Sequence, residues 1–192
     1  SDYKNLNLLT NNSISNIVDN SRYVWIGTWK GLNLYDKQAC KIIPFPDTRL
    51  LDKGINYMAA DKEDNIWIGA GNTIYRCNST ASIAREYDIF GSQQNKHVIN
   101  FVYQDREGNM WVLTGGGLFR YDDKSDSFIT YPPLGRNNAP YTMYQDQSGN
   151  YWIGTWGEGL WQFFPKKEGE ECYKRHHIIN SRSGETEPIF YS

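Results

Sequence analysis

Four segments of the chain align with one another around a tryptophan. They read VDNSRYVWIGTWKGLNLYD (18–36), ADKEDNIWIGAGNTIYRCN (60–78), QDREGNMWVLTGGGLFRYD (104–122) and QDQSGNYWIGTWGEGLWQFF (145–164). Trp25, Trp67, Trp111 and Trp152 follow one another at 42, 44 and 41 residues, and an aspartate stands six positions before each: Asp19, Asp61, Asp105 and Asp146. An apolar residue, Leu32, Ile74, Leu118 or Leu160, comes seven or eight positions after. A repeat of this length makes each unit one supersecondary structure that buries its apolar surface against its neighbours.

Each period holds four short strand signals separated by turns. The first is an apolar run at 14–18, 55–60, 98–104 and 141–145; the second carries the tryptophan; the third opens at the apolar residue after it. The fourth is more polar and lies at 41–45, 85–89, 128–131 and 173–178. Between the first and second strands, repeats three and four carry D-x-x-G-N (105–109 and 146–150), whose glycine supplies the positive φ of a tight hairpin. Nothing longer than a turn has helical periodicity, so helix should be almost absent. Four strands in about 40–45 residues is the blade of a β-propeller. The expectation is an all-β chain of four four-stranded antiparallel blades at about 12–47, 53–91, 96–133 and 138–180, in one segment spanning 1–192. The first strand of each blade should line the channel and be apolar; the fourth should lie outermost and be polar.

Composition narrows the function. Aromatics are 15% of 192 residues, with 7 Trp and 14 Tyr beside 17 Gly, a turn-rich β composition. A net charge of −2 argues against a nucleic-acid partner. No apolar run approaches the roughly 20 residues of a membrane span, so no membrane contact is expected. The start, Ser1-Asp2-Tyr3-Lys4, does not read as a secretory leader, and the chain reads as a soluble piece of something larger. Cys40, Cys77 and Cys172 form no C-x-x-C pair and are expected to be unpaired packing residues; no metal site or cofactor is expected. His176 and His177 are adjacent on a strand and face opposite ways, so they do not share a metal.

The phrase D-x-x-G-N-x-W-I-G-T-x-x-G-L-x-x-Y-D, preceded by Leu9-Thr10-Asn11-Asn12-Ser13-Ile14, resembles the two-component regulator propeller repeat. Repeat two departs from it with Ala70-Gly71-Asn72-Thr73, and repeat three with Leu113 in place of glycine. The resemblance implies the periplasmic sensor region of a Bacteroidetes hybrid two-component histidine kinase. It also implies a ring of about seven blades, an oligosaccharide ligand, and partners in the remaining blades and domains of the parent sensor.

The tryptophans of the register are expected to pack between blades and the aspartates to accept turn N–H groups. Trp29 and Trp156 fall outside that register, after Gly-Thr in the loop between strands two and three. That loop and the inter-blade loops open on one face. Exposed indoles there suit the C–H face of a sugar, with Lys30, Arg49, His97, Arg136, Asn137 and Glu158 as polar neighbours. No nucleophile elbow, P-loop or H-E-x-x-H occurs, so no catalytic residue is assigned. The alternatives are a propeller enzyme acting on polysaccharide, a lyase or glycosidase, and a non-binding dimerisation platform. Residues 1–9 read as the outer strand of a preceding blade and 188–192 as the inner strand of a following one. The expectation is an open arc that self-associates through its blade edges or is poorly soluble. The competing outcome is closure into a four-bladed ring.

Overall fold

Short runs of aromatic and branched residues between turn formers leave each stretch only one way to satisfy its backbone, by pairing with the next. The computed structural model describes residues 9–91, 97–134 and 139–176. The first sheet comprises β1 (Ile14–Asp19), β2 (Tyr23–Thr28), β3 (Gly31–Asp36) and β4 (Lys41–Pro44); the second β5 (Ile55–Ala60), β6 (Ile66–Ala70), β7 (Thr73–Cys77) and β8 (Ile83–Tyr87). The third comprises β9 (Ile99–Gln104), β10 (Met110–Thr114), β11 (Gly117–Asp122) and β12 (Ser127–Thr130); the fourth β13 (Pro140–Gln145), β14 (Tyr151–Thr155), β15 (Gly159–Phe163) and β16 (Tyr173–His176). Within each sheet the strands are antiparallel and in chain order. Two single turns of 3₁₀ helix, Thr48–Leu50 and Gly169–Cys172, are the helix among the described residues. The segments at 1–8 and 177–192 lie outside the described residues, as do Arg136, Asn137 and His177.

Burial corrects the expected gradient. The second and third strands are the most buried and the fourth the least, while the first strands are mixed. A middle strand is covered on both faces by adjacent blades, whereas a first strand turns part of its surface to the channel. Blade two's outer strand also starts earlier than expected, at Ile83, after a turn that places Ala81 at φ 62°.

The core consists of three inter-blade clusters. Trp25 packs with Ile66, Ile68 and Tyr75 of the second blade. Trp67 packs with Val102, Val112 and Phe119 of the third, and Trp111 with Met143, Ile153 and Phe163 of the fourth. Each of these indoles is at most 2% exposed. Trp152, which has no following blade among the described residues, is only half-buried. The other flank shows the same thing. Met58, Val102 and Met143 are at most 3% exposed, and Ile17 at the equivalent register position is 61% exposed. The described blades therefore form an arc whose two flanks are not sealed against each other.

Glycine in the W-I-G phrase has a packing reason. A Cβ on Gly69 would sit 2.6 Å from Ile99 Cγ2, and one on Gly27 2.8 Å from Ile55 Cγ2. Where blade three places Leu113 instead, the residue aligned with Ile55 and Ile99 in the next blade is Pro140, so volume has moved from one side of the interface to the other. Cys77 and Cys172 are buried and free, and burial pushes the Cys77 thiol up to about 12. Cys40 is exposed, in a turn at φ 51°, so it is not a packing residue.

The aspartate turns form by one scheme in three blades. Asp105 N–H donates to Asn109 O at 3.0 Å and Gly108 N–H to Asp105 O at 3.1 Å, with Gly108 at φ 89°. Gly149 at φ 84° does the same in blade four, and Asp64 at φ 68° takes the place in blade two. The carboxylate then accepts the asparagine N–H and the tryptophan Nε1–H, at 2.7 Å for Asp61 and 2.8 Å for both Asp105 and Asp146. Blade one differs. Its turn is one residue shorter, Asn20 rather than Asp19 accepts Arg22 and Tyr23 N–H, and Asp19 pairs with Lys37 at 2.8 Å. Trp25 Nε1 consequently has no partner.

In blade four, the Trp152 indole N–H and then the Asn150 amide hold Asp146 down to about 2. A depressed carboxylate stabilises the fold above its unfolded pKa, and that contribution drains away as pH falls from about 4 towards 2. Asp146→Asn is expected to flatten this part of an acid titration of melting temperature. An acid limb unchanged in the variant would show that another group controls it.

Candidate functional site at the channel mouth

Each first strand carries one residue more than its partner at its leading end. The pairing jumps from Ile14 to Asn16, Ile55 to Tyr57, Ile99 to Phe101 and Pro140 to Thr142. Ser15, Asn56, Asn100 and Tyr141 are therefore unpaired bulge residues, and a bulge bends the strand and re-aims its side chain. All four line one cavity of about 530 Å³, with Trp29, Tyr57 and Phe101 as aromatic wall and Thr142 beside them. That size lies within the range of about 300–1,000 Å³ typical of small-molecule sites.

No described lining residue carries a formal charge. Asn56 Oδ1 accepts Gly71 N–H at 2.7 Å, and Asn100 Nδ2–H donates to Pro140 O at 3.1 Å, so both amides are held while keeping spare capacity. Ser15 Oγ is buried without a partner. Burial raises the Tyr57 phenol above its ordinary value, so it stays a neutral hydroxyl. Tyr57 and Phe101 rings lie 4.5 Å apart. The surface offers flat apolar faces interleaved with neutral donors and acceptors.

The structure disperses the residues singled out from sequence. Trp29, 58% exposed, lines the cavity and rests on Gly54. Trp156, 65% exposed, lies at its rim, 5.9 Å from the Tyr141 ring. Lys30 is exposed beside Trp29, its N–H bonded to Thr28 Oγ1 at 3.1 Å. Arg49 is held by Asp47 at 2.6 Å and approaches Glu86 at 3.8 Å. Glu158 pairs with Arg175 at 3.2 Å, and His97 lies across the Gly115–Gly116 loop. None of these four lines the cavity. The bulge residues were missed because a one-residue bulge leaves no mark in hydrophobic periodicity; the excess of one residue in each first strand over its partner was the available signal.

Comparison with known proteins follows the same architecture. The two component regulator propeller model matches residues 92–116 and 134–157. No curated protein matches the chain in sequence. The extracellular domain of a protein described as a hybrid two component system from B. thetaiotaomicron is similar at TM-score 0.72 and 22% identity, covering 91% of this chain and 23% of that one. A second such domain from the same organism gives 0.67 and 14% over the same shares. Virginiamycin B lyase from Staphylococcus aureus gives 0.68 and 17%, covering 93% of this chain and 60% of that one. The chain thus spans under a quarter of the length of those two extracellular domains. It is a β-propeller segment, two stretches of which match the two component regulator propeller model.

Proposed function

We propose that this segment senses a neutral oligosaccharide at the channel mouth, as part of the periplasmic region of a hybrid two-component histidine kinase. The observation that carries the reading is the fourfold bulge, which brings Ser15, Asn56, Asn100 and Tyr141 from four blades to one uncharged, aromatic-walled cavity. Sugar C–H faces stack on rings such as Trp29 and Tyr141 while hydroxyls exchange hydrogen bonds with the Asn56 and Asn100 amides. A ligand favouring one arrangement of the parent would shift its population and bias the kinase. Further blades of the same parent, or a second copy, would cover the flanks at Ile17 and Trp152. The second reading is an enzyme acting on polysaccharide, although the described lining holds no carboxylate pair or histidine for proton transfer.

The test is calorimetry of this chain against neutral xylo-, cello- and galacto-oligosaccharides of three to six units, with product analysis on the same mixtures. At least one series should bind without turnover, and Trp29→Ala and Tyr141→Ala should each weaken it by about tenfold. Unchanged affinity in both variants, or no binding by any series, rejects the site. Product formation favours the enzyme.

A further inference from the structure

The opposite face holds a second cavity of a different character. It lies between blades three and four, is about 650 Å³, and is floored by Trp111, Tyr131, Tyr151 and Phe163 with Arg120 among them. Lys166 and Lys167, both exposed, stand at its edge. The equivalent cavity between blades two and three is about 240 Å³.

One residue exchange accounts for the difference in chemistry. Arg76 and Arg120 occupy the same register position, each opposite its blade's tryptophan, and both guanidinium groups lie over that indole, at 5.5 Å and 5.9 Å. Arg76 donates from Nη1 to the hydroxyl of Tyr121 at 3.0 Å, and that hydroxyl donates to Asp126 at 2.7 Å. The residue that corresponds to Tyr121 in blade four is Phe163, paired opposite Tyr151 and next to Gln162, so the hydroxyl is gone. Arg120 consequently donates to no acceptor among the described residues, and its Nε is buried without a partner. Glu107, the carboxylate in the wall, is already held by Gln145 Nε2–H at 2.7 Å.

We infer that this cavity is a second ligand site, for a carboxylate borne on a sugar-sized ring, with hexuronate as the simplest case. The planar guanidinium of Arg120 meets the carboxylate, and Lys166 and Lys167 add attraction from the rim. Tyr131, the partly exposed ring of that floor, takes the C–H face of the sugar. Asn109 and Asn150, both partly exposed, lie where ring hydroxyls would reach. The site is independent of the channel mouth, since it shares no residue with it.

The experiment titrates the 192-residue chain with sodium D-glucuronate and with D-glucose at matched sodium concentration, following tryptophan fluorescence and indole N–H shifts. Glucuronate should give a saturable response centred on the Trp111 indole, with glucose about tenfold weaker or more. Arg120→Gln should weaken glucuronate by about tenfold and leave glucose unchanged. If Arg120→Gln does not fold by circular dichroism, Phe163→Tyr serves instead, because it restores the hydroxyl that engages Arg76 and should weaken glucuronate similarly. Equal responses to the two sugars overturn the proposal, as does a folded variant that keeps the wild-type glucuronate affinity.

Discussion

Trp111→Ala is expected to lower the free energy of unfolding by about 3–5 kcal/mol, and Trp152→Ala by about half as much or less. The two residues hold the same strand position, so the contrast isolates the neighbouring blade. Trp111 is 1% exposed and meets Tyr151 at 5.5 Å and Phe163 edge-on at 5.4 Å, both across the interface. Trp152 meets His176 of its own blade at 5.3 Å and is half-buried. Urea denaturation of both variants decides the point. Equal costs would mean that the indoles act within their own sheets and that blade stacking contributes little.

Asp105→Ala should cost about 3 kcal/mol or more, because two buried donors lose their acceptor and each unsatisfied group costs about 1–3 kcal/mol. Its Oδ2 accepts Trp111 Nε1–H at 2.8 Å and the Tyr151 hydroxyl at 2.6 Å, the second bond crossing from blade three to blade four. Asp146→Ala should cost less, since its bonds are confined to its own turn and to Trp152. Adding Tyr151→Phe to Asp105→Ala removes one of the stranded donors, so the double variant should be more stable than the sum of the singles predicts. Strict additivity in urea titrations would rule out the cross-blade bond as a stabilising contact.

Much of the fold was legible in the repeat, because a tryptophan that must be buried against the next blade recurs at every period. The limits were local. Asp19 stands six residues before Trp25 as its counterparts do, yet it ends β1, and the shorter turn hands the acceptor role to Asn20. Spacing to the tryptophan cannot reveal a turn that loses one residue while the following strand, β2, gains one over β6, β10 and β14. The candidate site was legible by half. Trp29 and Trp156 stood out as indoles off the core register, and Trp29 does line the mouth. Arg49 did not reach it, because the 3₁₀ turn at Thr48–Leu50 folds it onto Asp47, and local hydrogen bonding of that kind is invisible to a register argument.

The bulge at the start of every first strand has an evolutionary consequence. Since the extra residue is outside the ladder, its identity is free of the strand-pairing demands that fix its neighbours, and only Asn56 and Asn100 of the four bind backbone groups, Gly71 N–H and Pro140 O. The mouth therefore behaves as a four-letter address, here Ser15, Asn56, Asn100 and Tyr141, written one letter per blade. A substitution at Ser15 or Tyr141 rewrites one letter without breaking a hydrogen bond of the blades that hold it. If the mouth binds as proposed, descendants of one scaffold would drift from ligand to ligand by such steps, each blade contributing its own increment of selectivity.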